Sequence, residues 1–110
     1  MAKKLVAVFV NGGRAVRVEL PGADSLGSMQ AMVGGLIERV NGATDASGRL
    51  DCYVNEEGAL IPLPLQVERI TGDTFAGPLL YLRSDAGGET ISLTEKQVKD
   101  LLHLYGGVSE

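Results

Sequence analysis

The chain has 110 residues, 45% of them hydrophobic, with one cysteine and a formal net charge of −4. This length suits one domain with a real core, and no hydrophobic run reaches the roughly 20 residues that a membrane-spanning helix needs. The scattered basic residues and the acidic balance argue against nucleic-acid binding, and one thiol cannot form an internal disulfide.

The N-terminal segment predicts a β-hairpin. Residues 3–10 (KKLVAVFV) are apolar on both faces, as in a central strand. Residues 11–14 (NGGR) are a strong turn signal, because Asn and Gly accept positive φ at low cost. In residues 15–20 (AVRVEL) apolar and charged side chains alternate, which indicates a strand with one face in solvent.

A short helix, a strand and a loop are predicted next. Residues 24–35 (DSLGSMQAMVGG) predict a helix that begins near Ser25 and ends at Gly34. Its apolar stripe is Leu26, Met29 and Val33. Residues 36–40 (LIERV) continue as a strand, and residues 41–49 (NGATDASGR) predict a polar loop.

Two prolines disrupt the strand pattern in the middle of the chain. Pro62 and Pro64 exclude an ordinary central strand. Because proline is favoured in the first turn of a helix, residues 64–72 predict a third, short helix with Val67 and Ile70 facing the core.

The remaining elements are strands and a C-terminal helix. The predicted strands are residues 50–55 (LDCYVN), 74–84 (TFAGPLLYLRS) and 89–93 (ETISL). Residues 94–107 predict an amphipathic helix with a capping box of Thr94 and Gln97. Its predicted buried stripe is Val98, Leu101, Leu102 and Tyr105.

Together these elements predict an α+β fold. We expect a mainly antiparallel sheet of about five to six strands, with two to three short helices packed on one face. We expect residues 1–110 to be a single, complete domain of a cytoplasmic protein, with neither nucleic acid nor membrane as a partner.

Few residues are candidates for catalysis. Cys52 lies on the apolar side of a predicted strand, which is typical of an inert buried thiol, and His103 lies in the last turn of the C-terminal helix. The sequence has no nucleophile elbow and no glycine-rich phosphate loop, and it has too few cysteines and histidines for a zinc site. We therefore predict no catalytic residue, no metal and no cofactor.

Carboxylates near one turn are the remaining candidates. If residues 36–40 pair with residues 50–55, Glu38 approaches the turn Asn55-Glu56-Glu57-Gly58. Such carboxylates are able to hold Mg²⁺ or Ca²⁺ or to act as acid and base. Equally, the sequence fits a simple type I turn with solvated acids and a left-handed Gly58. The predicted ligand- or partner-binding residues are Gly34, Gly35, Glu38, Asn55, Glu56, Glu57 and Gly58.

Three stretches carry a family resemblance. They are MQAMVGGLIERV, CYVNEEGALIPLPLQ and DTFAGPLLYL. In this order they resemble the domain-of-unknown-function 3846 family, small proteins of phages, plasmids and bacterial genomes, over roughly residues 15–104. Gln66 departs from the family pattern, which has Asn beside the Leu-Pro-Leu stretch. The resemblance implies a fold and a mobile-element setting, with the host cytoplasm as location if the protein is phage-encoded, and it implies no reaction.

Three functions are consistent with these features. We predict a small non-enzymatic binding or regulatory protein with a protein or small-molecule partner. The first alternative is a carboxylate-dependent, metal-assisted hydrolase that uses Glu38, Glu56 and Glu57. The second is an oligomeric structural or assembly protein. An exposed edge strand, such as residues 15–20, is also able to pair across a homodimer.

Overall fold

The computed structural model describes residues 4–22, 25–45, 48–58, 60 and 63–106. Eight strands and two helices occur in this part of the chain. They are β1 (Lys4–Asn11), β2 (Arg14–Pro21), α1 (Ser25–Val33), β3 (Ile37–Asp45), β4 (Gly48–Asn55), β5 (Leu65–Val67), β6 (Thr74–Ala76), β7 (Leu79–Ser84), β8 (Thr90–Ile91) and α2 (Glu95–Leu104).

The main sheet has six strands in the order β2-β1-β7-β4-β3, with β8 paired to β7. Every strand pairing given for the described residues is antiparallel. The central strand β7 is apolar throughout its first two thirds, and Leu79, Leu80, Tyr81 and Leu82 are fully buried. The predicted α+β class with a mainly antiparallel sheet is therefore confirmed.

The two helices cover opposite faces of the sheet. One core cluster joins α2 to the even-numbered side chains of β1, among them Val8 and Val10. The other joins α1 to the odd-numbered Leu5 and to Ala7 of the same strand. Since successive side chains of a strand point to opposite faces, the clusters lie on either side of the sheet. The number of helices matches the lower predicted value, but the expected packing on one face is corrected.

The sequences of the central strands explain why both faces of the sheet are covered. A strand that is apolar on both faces, as β1 and β7 are, must be covered on both sides to remove its side chains from water. Within α1, Met29 and Val33 are buried as predicted, whereas Leu26 is exposed. Within α2, the predicted stripe is buried and the capping box of Thr94 and Gln97 is present.

Residues 64–72 form a strand and a turn, so the predicted third helix is wrong. β5 pairs with β6 as a separate two-stranded sheet. The Gln66 side chain points to β1, where its Nε2 donates to the carbonyl of Val10 (3.1 Å), and it also donates to the carbonyl of Gly77 between β6 and β7 (2.6 Å). Because Gln66 faces inward, Val67 lies on the outer face, and both Val67 and Ile70 are exposed rather than in the core. The predicted effect of Pro62 lies outside the described residues.

The predicted loop at residues 41–49 is also corrected. β3 extends to Asp45 and β4 begins at Gly48, with a register shift between Val40 and Ala43. β3 is an edge strand, and an edge strand is held by backbone hydrogen bonds even where its sequence is polar. At the other end of the sheet, Gly12 and Gly13 have φ of 62° and 77°, which confirms the predicted hairpin turn. No helix in the described part of the chain is long and apolar enough to cross a membrane.

Candidate functional site

Asn55 joins the end of α1 to the turn that follows β4. Its side chain is 5% exposed. The amide Nδ2 donates to the carbonyl of Val33 (3.2 Å), and Oδ1 accepts from the backbone N–H of Glu57 (2.8 Å). A Cβ atom at Gly35 would lie 2.9 Å from Nδ2, so the helix end approaches Asn55 as closely as a glycine allows. One side chain therefore fixes the helix stop and the turn relative to each other.

The turn itself is held by backbone contacts on two sides. Glu56 donates its N–H to the carbonyl of Leu36 (2.8 Å), and Gly58 donates to the carbonyl of Asn55 (3.1 Å). Gly58 is buried against β6, where an added Cβ would lie 2.3 Å from the carbonyl oxygen of Ala76. Gly58 does not adopt the predicted left-handed conformation. A glycine is needed here because an added Cβ would collide with the carbonyl oxygen of Ala76.

Glu38 lies on the strand next to this turn. Its register partner is Val54, and Ile37 opposes Asn55, so β3 and the acidic turn are adjacent as the sequence predicted. The side chains of Glu38, Glu56 and Glu57 are all exposed. Among the described residues, no group of three His, Cys, Asp or Glu side chains is placed to hold a metal ion. The structure thus brings the seven predicted residues to one region, whose role stays a prediction.

Three exposed leucines lie on segments that contact the turn Asn55-Glu56-Glu57-Gly58, and the sequence analysis does not predict them as part of the site. Leu36, Leu60 and Leu65 are 54%, 78% and 73% exposed. Leu36 accepts the backbone hydrogen bond from Glu56, and Leu60 donates its N–H to the carbonyl of Glu57 (2.9 Å). Leu65 pairs with Ala76, the residue that contacts Gly58. We call this region the acidic–apolar corner, which consists of Leu36, Glu56, Glu57, Leu60 and Leu65.

A buried polar network lies on the α2 face of the sheet, and its centre is Glu68. This side chain is 1% exposed. Its carboxylate accepts hydrogen bonds from the N–H groups of Ile70 (2.9 Å) and Thr71 (3.0 Å), from the Thr71 hydroxyl (2.8 Å) and from the Tyr81 hydroxyl. The hydroxyl groups of Tyr81 and Tyr105 are 2.6 Å apart. The network connects the β5–β6 hairpin, the central strand and α2.

The environment shifts the ionisation of this network. Burial tends to raise the pKa of Glu68, but the hydrogen bonds from Tyr81, Ile70 and Thr71 outweigh it and hold that pKa below its ordinary value. Burial raises the pKa of the Tyr81 hydroxyl and of the Cys52 thiol. Cys52 is therefore a buried thiol whose protonated form is favoured, and its predicted burial is confirmed.

The sequence does not mark Glu68 as a buried residue, because it predicts a helix over residues 64–72. The local signal against a helix is Thr71-Gly72-Asp73, which is typical of a turn. Asp51 was missed as well. It is fully buried on the α1 face, where its Oδ1 lies 3.0 Å from Nε of Arg49 and 3.9 Å from a terminal nitrogen of Arg39. No local pattern marks Asp51, because a lone acid in an alternating strand is normally read as solvent-facing.

Comparison with known proteins gives one match. The profile of the family described as "Domain of unknown function (DUF3846)" matches residues 3–106, nearly the whole chain. No curated protein and no solved structure matches the chain.

Proposed function

The chain belongs to the domain-of-unknown-function 3846 family, and we propose that it is a non-enzymatic binding or regulatory protein that recognises its partner with the acidic–apolar corner. The observation that supports this most directly is the exposure of Leu60, which follows two exposed glutamates in the same turn, and of Leu65 on the hairpin that contacts this turn. On the resemblance of its motifs to phage and plasmid proteins, we extend the proposal to a mobile-element setting.

Exposed leucines on three neighbouring segments favour an interface. Single apolar side chains are common on protein surfaces, but adjacent ones that are rimmed by polar residues mark interaction sites. Burying a leucine side chain that solvent now covers is worth about 1.5–3 kcal/mol. Leu36, Leu60 and Leu65 therefore provide a hydrophobic contribution that is unused in the isolated chain.

The corner is also preorganised. Asn55 fixes the start of the turn through both ends of its amide group, and Gly58 is packed against β6. A surface whose backbone is already fixed loses less conformational entropy on binding. The scaffold thus favours recognition by a rigid turn.

The chemistry of the corner defines the partner. Glu56 and Glu57 place two carboxylates next to the leucines, and the chain as a whole carries a net charge of −4. Complementary charges steer encounter and disfavour acidic partners. We therefore propose a protein partner with apolar side chains next to lysine or arginine.

A peptide selection tests this proposal. A random peptide library is panned on the wild-type protein, and the affinity of individual selected peptides is measured by calorimetry. We expect the selected peptides to combine leucine-like residues with Lys or Arg, and Glu57→Lys and Leu60→Ser each to weaken binding at least tenfold. Control variants are Glu89→Lys on the turn before β8 and Leu26→Ser on α1, both at exposed positions, which should bind like the wild type.

Two results of this experiment would contradict the proposal. If selected peptides bind Glu57→Lys and Leu60→Ser as tightly as the wild type, the corner is not the recognition surface. Selected peptides that are acidic would overturn the proposed partner chemistry.

A further inference from the structure

β2 lies at one edge of the main sheet as the structure describes it. It pairs with β1 in a continuous register from Lys4↔Pro21 to Asn11↔Arg14. Within the described part of the chain its other side pairs with no strand, because β2 ends the strand order. Backbone groups on an open edge are available to another strand.

The contacts of β1 show which residues of β2 face the open side. Val6 of β1 accepts from the N–H of Leu93 (2.9 Å) and donates its own N–H to the Ser92 hydroxyl (2.8 Å), so its backbone points away from β2. In an antiparallel ladder the two residues of such a pair both point away from each other. Glu19, the register partner of Val6, therefore presents its N–H and C=O at the open edge. Arg17, two residues earlier, does the same.

We propose that β2 pairs with β2 of a second copy of the chain, antiparallel, about a two-fold axis that passes beside Val18. In this register Val18 opposes the partner's Val18, and Arg17 opposes the partner's Glu19. Arg17 and Glu19 both have outward backbone groups, so each exchanges hydrogen bonds with its opposite residue. Their side chains share one face, and both are exposed. Opposite charges therefore meet twice, once on each side of the axis.

Other registers are disfavoured by charge and geometry. An axis at Arg17 or at Glu19 places like charges directly opposite each other, which destabilises a strand pair. An axis at Val16 leaves Arg17 opposite Ala15 and loses both ion pairs. A shift by one residue places outward backbone groups opposite inward ones, so the ladder cannot form. The register at Val18 is the self-complementary one, as a two-fold interface requires.

The apolar side chains of β2 fit the same register. Val16 is 49% exposed on the α1 face of the sheet. With the axis at Val18 it opposes the partner's Leu20, so the pairing removes apolar surface from water. A continuous sheet across the two copies would then reduce the exposure of Val16.

Charge reversal tests the ion pairs. Sedimentation velocity or light scattering measures the monomer–dimer equilibrium over micromolar concentrations. We expect a wild-type dimer, and at least a tenfold rise in its dissociation constant for Arg17→Glu and for Glu19→Arg, because each single variant opposes like charges. The double variant Arg17→Glu/Glu19→Arg restores opposite charges and should recover the dimer.

Two charge changes on α2 are matched controls. Lys96→Glu and Asp100→Arg alter an exposed ion pair by the same amounts, on α2 rather than on the β2 strand itself. They should leave the dimer intact. Circular dichroism of every variant verifies that a loss of dimer is not a loss of folding.

Disulfide trapping tests the register itself. Opposed residues that are not hydrogen-bonded have Cα atoms about 4.5 Å apart, a separation that a disulfide spans. Val18→Cys should therefore form a crosslinked dimer on oxidation. Val16→Cys is more exposed but lies off the axis, so it should not, and the buried Cys52 provides the wild-type background.

The outcomes that would overturn the proposal are distinct. If the wild-type protein stays monomeric at all accessible concentrations, the proposed dimer does not form. A dimer that survives both single charge reversals places the interface elsewhere. Equal crosslinking at positions 16 and 18 contradicts the register.

Discussion

Asn55 is the side chain on which the turn beside α1 depends. It is the only described side chain that bonds both the carbonyl of Val33 and the N–H of Glu57. Neutral asparagine is able to donate and accept at once, whereas an aspartate accepts only. The residue type is therefore set by two partners that lie 22 positions and two positions away in the chain.

Asn55→Asp should destabilise the protein. The change removes the donor to Val33 and leaves that carbonyl facing a buried carboxylate, at a cost of about 1–3 kcal/mol in the free energy of unfolding. Urea unfolding followed by circular dichroism measures the loss. Asn11→Asp makes the same change at an exposed position and should have little effect. Equal stability of the two variants would show that the Asn55 bonds are not important.

Glu68 makes stability depend on acidity. The pKa of Glu68 in the folded state lies below the ordinary value of 4.5. The ionised side chain therefore contributes fully to the free energy of unfolding above about pH 4.5, and this contribution is lost as the pH falls through the lowered pKa. Below pH 4.5 the free energy of unfolding of the wild type should fall more steeply with acidification than that of Glu68→Gln. Glu89→Gln, at an exposed turn, should follow the wild type. Identical pH slopes for the wild type and Glu68→Gln would contradict the role of the network.

At the scale of elements, the turn after β4 depends on its contact with β6. Gly58→Ala places a methyl group 2.3 Å from the carbonyl oxygen of Ala76, so the β5–β6 hairpin must move. We expect a loss of about 1–3 kcal/mol in the free energy of unfolding, measured by urea unfolding. Gly87→Ala is the control, because its nearest neighbour would be 3.4 Å away, at the Asp85 side chain. A stable Gly58→Ala variant would mean that the hairpin is not packed against the turn.

The β5–β6 hairpin is held by side chains rather than by its own length. Each of its strands has three residues, and an isolated hairpin of that size is marginal in water. Gln66 fixes one end to β1, and Glu68 fixes the other to Tyr81. These anchors also orient Leu65 outward, which places it in the acidic–apolar corner.

At the scale of the whole molecule, β1 and β7 contribute side chains to both core clusters. The two faces therefore share their central strands and should unfold together. Met29→Ala on α1 and Leu101→Ala on α2 should each cost about 2–5 kcal/mol while the protein retains a single unfolding transition. Far-ultraviolet circular dichroism and tyrosine fluorescence should give coincident curves. Separate transitions in either variant would show that the faces fold independently.

The family match and the fold agree with the sequence-based predictions over most of the chain. The signal was strongest where local chemistry decides the structure. Gly12 and Gly13 predict their turn because only positive φ closes so short a hairpin. Thr94 and Gln97 predict the start of α2 because their hydrogen bonds are local.

The sequence-based predictions are wrong where contacts with residues distant in the chain determine the local structure. Residues 64–72 form a strand and a turn because Gln66 and Glu68 make hydrogen bonds with β1 and β7. These partners are too distant in the chain to be recognised from the local sequence. The same limit applies to the candidate site. Its glycines and acids were predicted from one stretch each, but the exposure of Leu36, Leu60 and Leu65 follows from how the turn packs on β6.

The sequence by itself determined the α+β class, the first hairpin, α2 and the burial of Cys52, since each depends on patterns within a few residues. Only the tertiary structure decided that the helices cover opposite faces, that Glu68 and Asp51 are buried and that β2 lies at the end of the strand order. Periodicity reveals which side chains are apolar or charged, whereas burial depends on which segments meet across long separations in the chain, and that is fixed by packing.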